Sequence, residues 1–67
     1  MSFNHEELML MILYNTGTRL GLIHELRLMQ CYLMPDETAL RELSEQVIEK
    51  LKLLTDAQFA EVEFPMD

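Results

Sequence analysis

The sequence has no tryptophan, a single cysteine, two glycines, two prolines and only five basic residues. Each shortage excludes something. One cysteine, Cys31, permits no intrachain disulfide and no four-cysteine metal site. Two histidines beside it leave little material for zinc of any kind. The five bases oppose twelve acids, for a formal charge of −7, and stand singly at Arg19, Arg27, Arg41, Lys50 and Lys52. Binding a duplex takes clustered Lys and Arg that displace counterions from phosphates, so neither DNA nor an anionic membrane surface is an expected partner. The longest apolar run, Leu8 to Tyr14, falls far short of the roughly 18 residues that cross a bilayer. His5-Glu6-Glu7 precedes it, where a signal peptide would carry bases. The expectation is a cytoplasmic chain without membrane contact. At 67 residues it has room for a single helical domain over 1–67, near the lower size at which one core holds without staples.

Leu, Met, Glu and Gln dominate what is present, and they favour helix over strand. The spacing predicts helices over about 5–14, 19–33, 37–53 and 56–61, with 63–67 as a frayed tail. The fold class is therefore all-α, a small three-helix bundle with a short fourth C-terminal helix. Asn4 and Glu7 form a capping box for the first helix, with Phe3 and Leu8 placed as a hydrophobic staple. That helix is apolar nearly all round, which predicts burial on several sides and a central position. Thr18 caps the second, either Asp36 or Pro35 opens the third, and Thr55 with Gln58 boxes the fourth.

The second helix carries two stripes. Leu22, Leu26, Met29 and Leu33 make the core stripe. The opposite side holds Gly21, His24, Leu28, Cys31 and Tyr32, which is less polar than a solvated face should be. Gly21 costs a helix about 1 kcal/mol against alanine, so close approach of another helix is a reason to keep it. This second stripe is the candidate partner face, with a second copy of the chain as the simplest occupant. Coverage by the first helix, or by the tail through Phe64, is the competing expectation. In the third helix Leu40, Leu43, Val47, Leu51 and Leu54 form a stripe opposite Arg41, Glu42, Glu45, Glu49 and Lys52. The core centre expected from both stripes is Leu26, Leu43, Val47 and Leu51.

Several of these residues carry a family resemblance. Phe3, Glu6-Glu7 and Leu8, then Tyr14-x-Thr16 and Arg19 ahead of Leu22-Ile23, resemble the start of the transposon-transfer assisting proteins, small proteins of bacterial conjugative transposons. Leu43, Lys50-Leu51, Thr55-Asp56 and Phe59 resemble their end, so the likeness runs from about Phe3 to Phe59. It implies a place on a mobile element and an accessory role in its transfer, with a protein of the transfer machinery as partner. It supplies no catalytic or binding residue.

Candidate chemistry is sparse. His24 and Cys31 lie two turns apart on one helix, too few ligands for zinc. No motif marks Cys31 or Ser44 as a nucleophile, and a bundle this small is expected to have little room for a pocket of roughly 300 Å³ or more. No catalytic residue, metal ligand or cofactor is therefore assigned. Arg19 follows the Thr18 cap, where a cation opposes the helix dipole. It calls for an offsetting partner: Glu6, Glu7, a residue of helix three, or a group on another protein. A helix-turn-helix reading of helices two and three is rejected, because phosphates would repel its acidic recognition helix. The functional expectation is a non-enzymatic adaptor of a mobile element, working through protein contacts. An acidic DNA mimic that blocks a nucleic-acid-binding protein is the alternative. Met11 and Met29 are expected to fill core gaps.

Overall fold

The computed structural model describes residues 3–64, and within them the fold is all-α. Four helices follow one another: α1 (His5–Tyr14), α2 (Arg19–Cys31), α3 (Thr38–Leu53) and the short α4 (Asp56–Ala60). The first three pack against one another. Three of their starts are set by local capping chemistry. Asn4 accepts from the Glu7 amide at 2.8 Å, and Glu7 returns the bond to the Asn4 amide at 2.8 Å. Thr18 accepts from the Gly21 amide at 3.0 Å. Thr55 and Gln58 repeat the reciprocal box at 3.1 and 2.9 Å. Between α1 and α2 the chain turns through Gly17, whose φ of +98° belongs to the left-handed region that glycine enters without steric cost.

The turn into α3 departs from expectation. Neither Asp36 nor Pro35 opens that helix; Glu37 stands at its N-cap and makes no side-chain cap bond. The Glu37 carboxylate instead accepts from the Met34 amide at 3.0 Å, so it closes the turn behind it. α2 ends at Cys31, two residues before the expected end at Leu33, as the amides of Tyr32 and Leu33 bond three residues back to Met29 and Gln30. Of the expected tail, residues 65–67 lie outside the described residues, while Phe64 packs half-buried against the core.

Leu10, Met11, Leu22, Leu26, Val47, Ile48 and Leu51 form the buried core. Leu26, Val47 and Leu51 stand at its centre as expected, but Leu43 is only half-buried. The buried side of α3 is turned toward Ser44 and Ile48, because the helix serves two neighbours and Ser44 is small enough to sit fully inside. Met11 is buried and Met29 half-buried. The expectation for α1 was wrong. It buries Glu7, Leu10 and Met11 on one side only and exposes Met9, Ile12 and Leu13.

Candidate functional site

α2 presents its second stripe outward. At about 100° per residue, burial of Leu22 and Leu26 turns His24, Leu28, Cys31 and Tyr32 away from the core, and all four are exposed. Tyr32 is 83% exposed and Leu28 43%. Neither α1 nor the tail through Phe64 covers them. Leu20 lies beside this stripe at 65% exposure. Gly21, the remaining member, is half-buried, and its reason differs from the one expected. A Cβ there would collide with the Thr16 hydroxyl and stand 2.6 Å from the Thr18 hydroxyl. The close approach at Gly21 is therefore made by threonine hydroxyls of the turn and cap of the same chain, which would have to shift for any side chain there.

Arg19 finds its partners within the chain, one on helix three as expected and one, Asp56, that was not foreseen. Its Nε donates to Asp56 at 2.9 Å and a terminal nitrogen donates to the Leu51 carbonyl at 3.1 Å. That carbonyl belongs to the last turn of α3, where orphan oxygens and the helix dipole favour a cation. Asp56 in turn sits in the first turn of α4, where an anion is favoured. The charge that opposes α2 thus serves two other helix ends. Glu7, expected as a capping residue or a partner of Arg19, is fully buried and receives Lys50 Nζ at 2.7 Å on the oxygen that also accepts from Asn4. Its second oxygen is buried without a hydrogen-bond partner among the described residues. Lys50 also lies over the Phe3 ring, 5.6 Å from its centroid.

The remaining candidates do not come together. Ser44 donates to the Arg41 carbonyl at 2.9 Å and accepts from Gln30 at 2.8 Å. It is buried, while His5, His24 and Cys31 are exposed. Among the described residues no three His, Cys, Asp or Glu side chains are grouped to hold a metal ion, and no helix is long and apolar enough to cross a membrane. Contrary to expectation the surface does have room for hollows of enzyme size. One of about 540 Å³ lies between the start of α2 and α4, around Arg19, Leu20, Asp56 and Phe59. Another of about 360 Å³ lies where Phe3 and Leu8 face Leu54, Gln58 and Val62. Neither is lined by His, Cys or Ser, and the charged pair of the larger is already engaged with itself.

With four helices in this order, capped at Asn4, Thr18 and Thr55, the comparisons with known proteins give one match. The family model described as putative transposon-transfer assisting protein aligns with residues 3–65. The chain belongs to this family. The match covers all three capping sites, the whole core and the outward face of α2, as the resemblance from Phe3 to Phe59 implied. No curated protein and no solved structure matches the chain. The family description gives a role, assistance in transposon transfer, and the outward face of α2, like the exposed apolar side of α1, is a feature of this fold that packing leaves unexplained. Reading the sequence missed the exposed apolar side of α1, which its all-round apolar pattern disguised as burial, and the Glu7–Lys50 contact, for which no local signal exists.

Proposed function

We propose that the protein is a non-enzymatic adaptor that assists transfer of a transposon through protein contacts made on the outward side of α2. One observation carries this: Leu28, Cys31 and Tyr32 are exposed together on one helix face although the core is complete without them. Single exposed apolar residues are ordinary, but a contiguous set marks an interaction surface. Tyr32 adds the aromatic body and polar tip that interfaces favour.

The DNA-mimic alternative gains no support from α3. Its outward face interleaves Arg41 and Lys52 with Glu42, Glu45 and Glu49, and Lys52 approaches Glu49 to 3.6 Å. Glu45 accepts from Gln30 at 3.1 Å. An array imitating phosphates needs carboxylates without interspersed cations. Transposon-transfer frequency from donor cells carrying Leu28→Glu or Tyr32→Ala tests the adaptor reading. Reduced transfer with an unchanged circular-dichroism melt is the expected result. Normal transfer by both folded variants would remove this face from the function.

A further inference from the structure

The outward face of α2 continues onto α1, and the contacts to α3 fix how. Glu7 reaches Lys50, so α3 lies on the Glu7 side of α1. Gln30 reaches Ser44 and Glu45, so α3 lies on the Gln30 side of α2. The opposite edges of the two core stripes, Leu10 on α1 and Leu22 with Met29 on α2, are therefore turned to each other where α1 and α2 pack. At about 100° per residue the positions next outward are Glu6 and Leu13 on α1, and Glu25, Leu28 and Tyr32 on α2. Leu13 is 76% exposed. α4 and the chain after it lie along the other edge of α1, where Leu8 faces Gln58 and Val62, so among the described residues they leave this seam open.

The two helices are joined by the short turn 15–18 and pack against each other. The outward positions on either side of that packing are thus apolar or acidic with no Lys or Arg among them, and Arg27 lies toward the α3 side of α2. Neither Glu6 nor Glu25 pairs with a cation among the described residues. The last turn of α2 also lacks a basic residue, so its carbonyl end adds to the negative potential.

We infer that the seam between α1 and α2 takes a basic amphipathic helix of a partner protein, whose apolar stripe meets Leu13, Leu28 and Tyr32 and whose Lys or Arg side chains meet Glu6 and Glu25. This rests on the reading that the protein acts through contacts on the α2 face. Charge decides the occupant. A neutral apolar partner would desolvate Glu6 and Glu25 without compensation, which is costly for a carboxylate. A second copy brings another charge of −7 and sets acids against acids along this seam. A helix with basic flanks pairs both carboxylates and is drawn in by the field of the whole molecule.

The test uses synthetic amphipathic peptides of about 18 residues with apolar residues at i, i+3, i+4 and i+7. One carries Lys and Arg on its flanks, a matched one carries Glu, and a third scrambles the basic sequence. Binding to the full chain is followed by fluorescence anisotropy and by amide chemical shifts. The Lys/Arg peptide is expected to bind with shifts confined to the outward positions of α1 and α2, and the other two to bind at least tenfold more weakly. The double variant Glu6→Gln/Glu25→Gln should weaken the Lys/Arg peptide about tenfold and flatten its salt dependence. Glu42→Gln/Glu49→Gln on α3 should leave it within about twofold, which separates a seam contact from general attraction. Equal binding of the Glu-flanked peptide, shifts centred on α3, or no binding at millimolar peptide overturns the inference. So does a dimer mass in sedimentation that Leu28→Glu abolishes. If Leu28→Glu still impairs transfer while the peptides show no preference for basic flanks, the basic partner falls and the α2 contact face stands. If transfer is also normal, both fall.

Discussion

α2 and α3 lie side by side and divide their residues differently. α3 buries Ser44, Val47, Ile48 and Leu51 and turns Arg41, Glu42, Glu45, Glu49 and Lys52 outward. α2 buries Leu22 and Leu26 and turns Leu20, Leu28, Cys31 and Tyr32 outward. Folding accounts for every apolar position of α3 near its middle, since each meets the core. It does not account for the outer half of α2, nor for Met9, Ile12 and Leu13 on α1. A solvated helix face is kept polar to hold the protein soluble, so apolar residues retained where the core does not need them are the ones to question for binding. The comparison predicts two classes of substitution, costly on the α3 side and nearly silent on the outside of α2.

The largest effect belongs to Leu51→Ala. Leu51 is fully buried between α1 and α2 neighbours, and truncating such a leucine costs about 2–5 kcal/mol. A core this small supplies only about 3–5 kcal/mol in total, so thermal melting by circular dichroism should show a largely unfolded population at 37 °C. Leu43→Ala, at a half-buried site, should cost clearly less. An equal loss from the two would place the core face of α3 where the stripe alone put it.

Lys50→Met sharpens the comparison from the polar side. Glu7 is fully buried and Lys50 one-third exposed. Removing the ammonium leaves a buried carboxylate with one oxygen already lacking a partner. Breaking one half of a buried pair is far costlier than the net worth of the pair, and with Lys50 partly solvated a loss of about 2–3 kcal/mol is expected. Glu7→Gln should cost less, because its amide oxygen can still accept from Asn4. Urea titration of both variants checks the order. A milder effect from Lys50→Met than from Glu7→Gln would show that the carboxylate does not depend on this lysine.

These contacts also mark how far the sequence was legible. The caps at Asn4, Thr18 and Thr55 were readable because their chemistry is local, with donor and acceptor three residues apart. The same rule failed at Asp36, since the turn points the neighbouring Glu37 carboxylate backward to Met34, and direction at a turn is not a property of composition. Leu26, Val47 and Leu51 were readable from periodicity. The rotation of α3 toward Ser44 and Ile48 was not, because it depends on where Gln30 of α2 stands. Glu7 and Lys50 are 43 residues apart. On α1 the apolar pattern was plain, yet a pattern cannot distinguish a side that meets the core from one that meets nothing in the same chain. The α2 stripe was the reverse case. Its outward side was legible as an excess, and only the packed neighbours could say that it is left open.

Arg19→Ala is intermediate. The guanidinium is largely buried while its partner Asp56 is exposed, so the ion pair itself contributes little. The bond to the Leu51 carbonyl matters more, because it satisfies the end of α3. A loss of about 1 kcal/mol is expected, lowering the melting temperature by about 4–8 °C for a domain of this size. Asp56→Ala should cost less than half as much. Equal losses would place the role of Arg19 at α4 and not at α3.

The smallest effects carry the most weight for function. Tyr32→Ala removes a ring that is 83% exposed and should change stability by no more than about 0.5 kcal/mol. Leu28→Glu replaces a side chain on the same face and adds a carboxylate near Glu25, for a loss of at most about 1 kcal/mol. Both variants should therefore fold, melt within a few degrees of the parent chain, and keep its mass in solution. Glu at the buried Leu26 provides the control. A carboxylate there has no partner and should unfold the protein, although it lies only two residues away on the same helix. If Leu28→Glu unfolded the chain as Leu26→Glu does, the outer side of α2 would belong to the core, and the difference between α2 and α3 would vanish. If it folds and only binding or transfer is lost, the excess of apolar residues on α2 is explained by what the protein meets and not by how it holds together.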